Sequence, residues 1–292
     1  MAGAASTGPE GPFDRRLRRL RRDRAAASGA SADYLHRRAA DELIERLDLV
    51  RRSFRTALDL GSGDSYLAAK LRERGLEVVP TDAGRSFAAA ASGVQGDEDR
   101  LPFADHSFDL IVSVGALDSV NDLPGALTLI RRALRPDGLF LAAFAGAGSL
   151  PRLRAAIRAA EEAEGLAASP HIHPQIDVRA AGDLLGRAGF TLPVVDSELV
   201  TVRFGHLMQL VADLRAMGAT NLLGARSRRP FGRLGLAAAI AQFAAAADPD
   251  GKTAERFELL HLSGWAPSAD QPRPARRGSA TASLAEALRK KG

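Results

Sequence analysis

The chain has 292 residues, 40 Lys and Arg against 35 Asp and Glu, and no cysteine. The missing cysteine excludes disulfides, thiolate metal sites and a cysteine nucleophile. No apolar stretch approaches the ~20 residues of a membrane helix, and arginines and acids interrupt the beginning where a signal peptide's apolar core would lie, so the sequence reads as a soluble, non-secreted protein.

The positive charge sits at the two ends. Residues 14 to 24 carry seven arginines against two aspartates, residues 270 to 292 carry six basic residues against two acids, and the body between is mildly acidic. Such a body, with aromatic residues at 5%, is a poor platform for phosphate backbones or base stacking, so nucleic acid is not an expected partner. The basic ends leave room for peripheral contact with a membrane surface.

In chain order, residues 1 to 12 read as a disordered lead. Phe13, Leu17, Leu20 and Arg24 follow helical spacing, which predicts a helix over 13 to 26 that docks a thin apolar stripe and turns its arginines to water. The alternative places this helix beside a ligand cleft as part of a lid, or as a dock for an acidic partner. A second helix follows over 33 to 49, and residues 13 to 50 form an N-terminal helical unit. The run Ala57-Leu58-Asp59-Leu60-Gly61-Ser62-Gly63 then describes a buried strand and a glycine turn. Asp82 closes the next apolar run, near the ~20-residue interval from a first βα turn to a ribose-binding acid.

The ligand can be argued from what the turn lacks. Tyr66 stands where a dinucleotide fingerprint wants its third glycine, and Asp64 would repel phosphates while tolerating a cation. Asp-x-Gly-x-Gly therefore favours S-adenosylmethionine, which has a sulfonium and no phosphate, over NAD. Strands over 56 to 60, 76 to 81, 108 to 113 and 138 to 144 alternate with helices over 65 to 74, 84 to 91 and 123 to 134, which implies a parallel sheet covered on both faces. Pro136 is expected to stop the helix before Gly138 turns into the next strand. Gly61, Asp82, Asp97 and the segment after Ser113 would converge at the carboxyl ends of the strands.

Beyond 150, helical stretches over 150 to 164, 178 to 188, 206 to 217 and 235 to 247 interleave with β-rich segments over 192 to 204 and 257 to 265. These finish the sheet and supply a cap. The domain expectation is therefore a catalytic fold over 51 to 266 with a helical insertion at about 205 to 250, and a basic flexible tail over 267 to 292. His171 and His173 form the only close histidine pair, in a Pro-flanked loop better suited to structure than to metal, so no metal site is expected. The Gly-x-Ser-x-Gly elbow is absent.

The segments Leu58 to Gly63, Asp82, Asp97 to Phe103 and Arg135-Pro136-Asp137-Gly138 resemble the class I S-adenosylmethionine-dependent methyltransferase superfamily. The resemblance implies an α/β Rossmann-like fold with a mainly parallel seven-stranded sheet, helices on both faces and a helical cap. It implies S-adenosylmethionine held by Asp59, Gly61, Gly63, Asp82, Asp97, Glu98 and Ser113, with the glycines at the methionine end, Asp82 on the ribose and Asp97 with Glu98 near the adenine. A narrower resemblance, carried by Phe13-Asp14-Arg15, Asp33-Tyr34-Leu35, Val120-Asn121-Asp122-Leu123-Pro124, Ser169-Pro170-His171-Ile172 and Gly264-Trp265 among others, is to the mitochondrial complex I assembly factor five family and its bacterial relatives.

That family implies arginine hydroxylation or methylation of an iron–sulfur subunit of respiratory complex I, in the cytoplasm of a bacterium or the mitochondrial matrix of a eukaryote. The malonyl-carrier-protein methyltransferase of biotin synthesis is a more distant resemblance, and a binding-only assembly factor is a third reading. Asp118-Ser119 stands where relatives carry His-Trp, which removes a ring nitrogen and an indole from the loop over the cofactor. Asp118, or His171 in the cap, is the candidate proton acceptor. Hydroxylation needs an oxidant, and no two-His-one-carboxylate pattern stands out.

Overall fold

A computed structural model describes residues 11–28, 32–271 and 289. The expected lead, except its last two residues, and nearly all of the expected tail lie outside the described residues.

Two helices, α1 (Arg15–Ser28) and α2 (Tyr34–Asp48), precede the sheet. Then β1 (Thr56–Leu60), α3 (Tyr66–Glu73), β2 (Glu77–Asp82), α4 (Arg85–Ala90), β3 (Val94–Gln95), β4 (Phe108–Val114), α5 (Leu123–Ala133) and β5 (Leu134–Ala145) follow. The remainder is α6 (Pro151–Ala163), α7 (Val178–Arg187), β6 (Thr191–Phe204), α8 (Leu207–Ala216), α9 (Arg233–Ala244) and β7 (Thr253–Trp265). The seven strands lie in the order β3-β2-β1-β4-β5-β7-β6, parallel except that β7 runs antiparallel to both neighbours.

Alternation along the strands sorts the core into two layers. Leu58, Leu60, Ile111 and Phe140 face α5 and α7 and pack with Leu127, Ile130 and Leu185. Their neighbours Ala57, Leu110, Val112, Leu139 and Leu141 face the other way, onto Leu43, Ile44 and Leu47 of α2 and Leu71 of α3. Each fully buried Leu or Phe contributes about 1.5–3 kcal/mol, and strands buried on both faces read as continuous apolar runs. A third cluster makes the cap: Phe204, Leu210, Leu214, Phe243 and Phe257 join α6, α8 and α9 to the far ends of β6 and β7. Glu255, fully buried in β7, accepts from the backbone N–H groups of Arg152 (3.1 Å) and Leu153 (2.8 Å), so it caps α6 from another strand.

Two expectations change. The segment from Leu134 to Gly138 is not a turn before the strand: β5 begins at Leu134, and Asp137 (φ +60°) sits at a shift in register against β4. Proline is tolerated there because the irregularity interrupts the ladder. More consequentially, α1 docks only the start of its apolar stripe. Phe13 and Leu17 pack with Leu222 and Leu223 as expected, but Leu20 is 47% exposed while Arg18 is 6% exposed, so farther along the helix arginines take the place of the stripe. The reason is electrostatic: the surface beneath the helix is acidic, and a guanidinium with a carboxylate partner tolerates burial that a solitary one does not. The α1 arginines 15, 18, 19 and 22 are accordingly turned to the protein rather than offered to a membrane.

Candidate cofactor cleft and substrate cavity

The cleft opens where β1, β2, β3 and β4 end. Gly61 adopts φ +84° and lies so close to the next loop that a Cβ would stand 2.4 Å from the Ala116 methyl, so only glycine fits. The N–H groups of Gly61 and Ser62 both donate to the Thr81 carbonyl, at 2.7 and 2.9 Å, which ties the turn to β2. Gly63 (φ +53°) donates its N–H to Asp82 Oδ2 at 3.1 Å. A cavity of about 130 Å³ lies against this turn, lined by Asp59, Gly61, Ser62, Gly63, Asp64 and His36 among others. Two buried polar atoms there, Asp59 Oδ2 and Ser62 Oγ, have no hydrogen-bond partner.

The two aspartates of the cleft are tuned in opposite directions. Burial first, then the charge of Asp82, pushes the Asp59 carboxyl up to about 7. Burial also works against the Asp82 carboxylate. Arg22 beside it, together with the N–H groups of Gly84 and Gly63, outweighs that penalty and holds it below the usual range.

At the other end, every predicted adenosine-side acid has an arginine from α1. Arg22 grips Asp82, with Nε at 3.1 Å from Oδ1 and Nη2 on Oδ2, and Gly84 N–H adds a bond of 2.7 Å to Oδ1. Arg18 forms a bidentate pair with Glu98, both bonds 2.6 Å, and its Nε donates to Ser119 Oγ at 3.1 Å. Arg19 pairs with Asp97 and Arg15 with Asp99. These four arginines are spaced i, i+3, i+4, i+7, one face of a helix. The signal was in the sequence, but arginine on a helix reads first as a solvated face. Ser113, the last of the predicted cofactor residues, is buried and donates its hydroxyl to the Leu60 carbonyl at 2.8 Å, where it ties β4 to β1.

A second cavity of about 1010 Å³ lies between α1, α2 and the cap. Asp118 and His171 both line it, together with His36, His173 and the apolar side chains Phe144, Ile157, Leu214 and Phe257. Asp118 sits in a 3-10 turn over 117–119, and burial raises its carboxyl to about 6 despite the opposing charge of Arg18. His171 Nε2 lies 3.2 Å from Glu161 Oε1. His173 instead accepts the Leu222 N–H at 3.0 Å and packs edge-on against Phe13, and burial lowers it to about 4, so it holds a loop as a neutral ring. The two histidines thus serve different partners, and no cluster of metal-binding side chains occurs among the described residues. His36, which the sequence did not single out, borders both cavities, and burial and then Arg22 lower it to about 4.

A methyltransferase-domain family model matches residues 58–142. Arginine-hydroxylase NDUFAF5, mitochondrial, from Danio rerio is 35% identical over 285 residues, which cover 94% of this chain and 88% of that protein. The chain belongs to the methyltransferase-domain family that includes NDUFAF5. The Homo sapiens NDUFAF5 matches at 35% identity over 94% of this chain and 82% of its own length. Malonyl-[acyl-carrier protein] O-methyltransferase from Laribacter hongkongensis is 33% identical, covering 87% of this chain and 89% of that protein.

Among solved structures, the Bacillus subtilis YcgJ protein superposes with a TM-score of 0.56 at 16% identity, covering 80% of this chain and all of that one. The [4+2]-cyclase SpnF superposes with a TM-score of 0.54 at 17% identity, covering 91% of this chain and all of that one. These confirm the fold expected from the sequence. The relatives carry the names of more than one reaction, so the comparisons make this a methyltransferase-fold enzyme and leave the reaction to the site.

Proposed function

We propose that this NDUFAF5-family protein binds S-adenosylmethionine at the strand ends and modifies a protein substrate, an iron–sulfur subunit of respiratory complex I, during assembly. The observation that carries the reading is the gathering of Asp82, Asp97 and Glu98 about the glycine turn at 61–63, with Gly63 N–H on Asp82, Glu98 Oε1 3.8 Å from where a Gly61 Cβ would stand, and Arg18 reaching both Asp97 and Glu98, in a chain 35% identical to NDUFAF5 over 94% of its length.

The residues present fit the cofactor. Asp59 Oδ2 and Ser62 Oγ, beside the cavity at the glycine turn, are buried polar atoms in need of a partner. Asp59 and Asp64 suit the ammonium and sulfonium end, Asp82 the ribose hydroxyls, and Asp97 with Glu98 the adenine. When bound, the cofactor supplies an activated methyl group on a cationic sulfur. The chain's part is then to align and to exclude water. His36, neutral and at the junction of the two cavities, and Asp118, half protonated at about pH 6, are placed to take a proton from a substrate group.

The specific reading is tested by peptide mass spectrometry of complex I subunits from cells with and without the gene. A gain of about 16 Da on an arginine, lost in the deletion, assigns hydroxylation, and about 14 Da assigns methylation. No change at any covered residue with complex I assembled overturns the assembly role. That result moves the malonyl-type reaction to first place, which the large apolar-walled cavity and the 33% identity to the Laribacter enzyme also favour.

A further inference from the structure

The acids expected to hold the nucleoside are already paired with arginines of α1, and one of them is saturated. A carboxylate offers about four lone-pair positions. On Asp82 they take Arg22 Nε, Arg22 Nη2, Gly84 N–H and Gly63 N–H. A ribose diol on Asp82 therefore requires Arg22 to withdraw. Glu98 is half occupied, since Arg18 takes one position on each of its oxygens and lies across the face a ligand would approach.

Beyond Leu17, which packs with Phe13, the helix that would have to move is held mainly by charge. Only Arg18 and Ala25 of α1 are fully buried, and its largest apolar side chain after Leu17, Leu20, faces outward. Elements with little buried apolar surface are those that open at low cost. The neighbourhood is also over-supplied with cations. Arg21 donates only to the Thr220 hydroxyl, and Arg24 and Arg215 have no carboxylate partner among the described residues. Burial and then Arg226, Arg24 and Arg215 depress the Arg21 guanidinium, the mark of like charges in close company.

If ligand hydroxyls and an adenine take the acids, Arg15, Arg18, Arg19 and Arg22 lose their counter-charges beside this existing surplus. S-adenosylmethionine has no phosphate with which to replace them. From Arg15 to Arg24 the row extends about 13 Å along the helix, too long for one small anion and suited to a run of carboxylates.

We propose that α1 exchanges partners with the cofactor: its arginines close on Asp82, Asp97, Glu98 and Asp99, and a nucleoside that takes those acids releases the helix as a row of arginines that binds an acidic protein segment. This rests on the reading of the cleft as an S-adenosylmethionine site. Cofactor and acidic partner then promote each other's binding, because linkage between two sites is reciprocal.

Calorimetry on the full chain tests it, with S-adenosylhomocysteine and a deca-glutamate peptide as probes. Arg22→Gln, and Arg19→Gln as a milder and more exposed change, should tighten S-adenosylhomocysteine about tenfold for Arg22 and less for Arg19. Saturating S-adenosylhomocysteine should tighten deca-glutamate about tenfold in the wild type, and less in either variant; both gains lie within the usual range of coupling. Weaker S-adenosylhomocysteine binding by folded Arg22→Gln would make Arg22 a cofactor ligand and overturn the exchange. Deca-glutamate affinity unaffected by S-adenosylhomocysteine would overturn the partner. Failure of the folded wild type and both variants to bind S-adenosylhomocysteine would instead remove the cofactor reading, and the exchange with it; binding by the variants alone would support the exchange in its strongest form.

Discussion

The two ends of the cleft use the same kind of residue under opposite control. At the end proposed to hold the ribose, Asp82 is fully buried yet ionised, because Arg22 and two backbone N–H groups face it. At the methionine end Asp59 is almost as deeply buried, but one of its oxygens has no partner and its proton persists to about pH 7. Depth alone therefore does not set the charge of an acid in this cleft; the donors aimed at it do. One end is organised by ion pairs and the other by desolvation, so they should respond differently to mutation and to pH.

Removing the cation at the ion-paired end should have the largest effect. Arg18→Met leaves Glu98, 1% exposed, without its bidentate partner, and the expected loss is about 3–5 kcal/mol in denaturant unfolding. Glu98→Gln in the same background should restore part of it, since it removes the orphaned charge.

The desolvated end should show its character as pH dependence. The Asp59 carboxyl is raised from 3.8 to about 7, so the folded state keeps a proton that the unfolded state has lost. Its contribution is fully present below pH 3.8 and disappears as pH rises through 7. Asp59→Asn should therefore nearly match the wild type at pH 4 and exceed it by about 4 kcal/mol at pH 8. A constant offset across that window would mean that Asp59 is ionised throughout, and the contrast with Asp82 would collapse.

Ligand binding sharpens the comparison next. Asp82→Asn should weaken S-adenosylhomocysteine about a hundredfold, since a charged acceptor able to face both ribose hydroxyls is replaced by an amide with one acceptor oxygen, a loss larger than the gain from releasing Arg22. Asp118, raised from 3.8 to about 6 and partly exposed, should give the smallest effect. Asp118→Asn should gain about 1–2 kcal/mol over the wild type between pH 4 and pH 7, read by the same unfolding experiment.

Much of this was legible in the sequence. Ala57 to Gly63 and Asp82 announced a strand, a turn and an acid, because glycine conformations and strand burial are local demands. Asp97 and Glu98 were legible as acids near a strand end. The helix over 13 to 26 was legible as a helix but not in its orientation. Its partners lie roughly 60 to 84 residues away, and no local pattern distinguishes arginines that meet water from arginines that meet four carboxylates. Glu255 escaped for the same reason, since it caps a helix about 100 residues before it. The turn expected at Pro136 failed because β-bulges and turns draw on the same residues.

The start of α1 is fastened by its backbone and a buried ring, its far end by side chains alone, with Asp23 accepting the Ser86 N–H at 2.8 Å and Arg22 lying over the Phe87 ring. Phe13 donates its N–H to Asn121 Oδ1 at 2.7 Å and accepts from Asn121 Nδ2 at 3.1 Å, and Asp14 N–H reaches the Leu222 carbonyl at 2.8 Å. Phe13 also buries its ring with Leu222 and Leu223. A rigid rod fastened at one end turns about that end, and Arg22 stands roughly 10 Å farther along the axis than Arg15. A small swing that barely loosens Arg15 from Asp99 thus carries Arg22 well clear of Asp82. On the exchange proposed above, the side of the cleft at Asp82 would open before the side at Asp97 and Glu98.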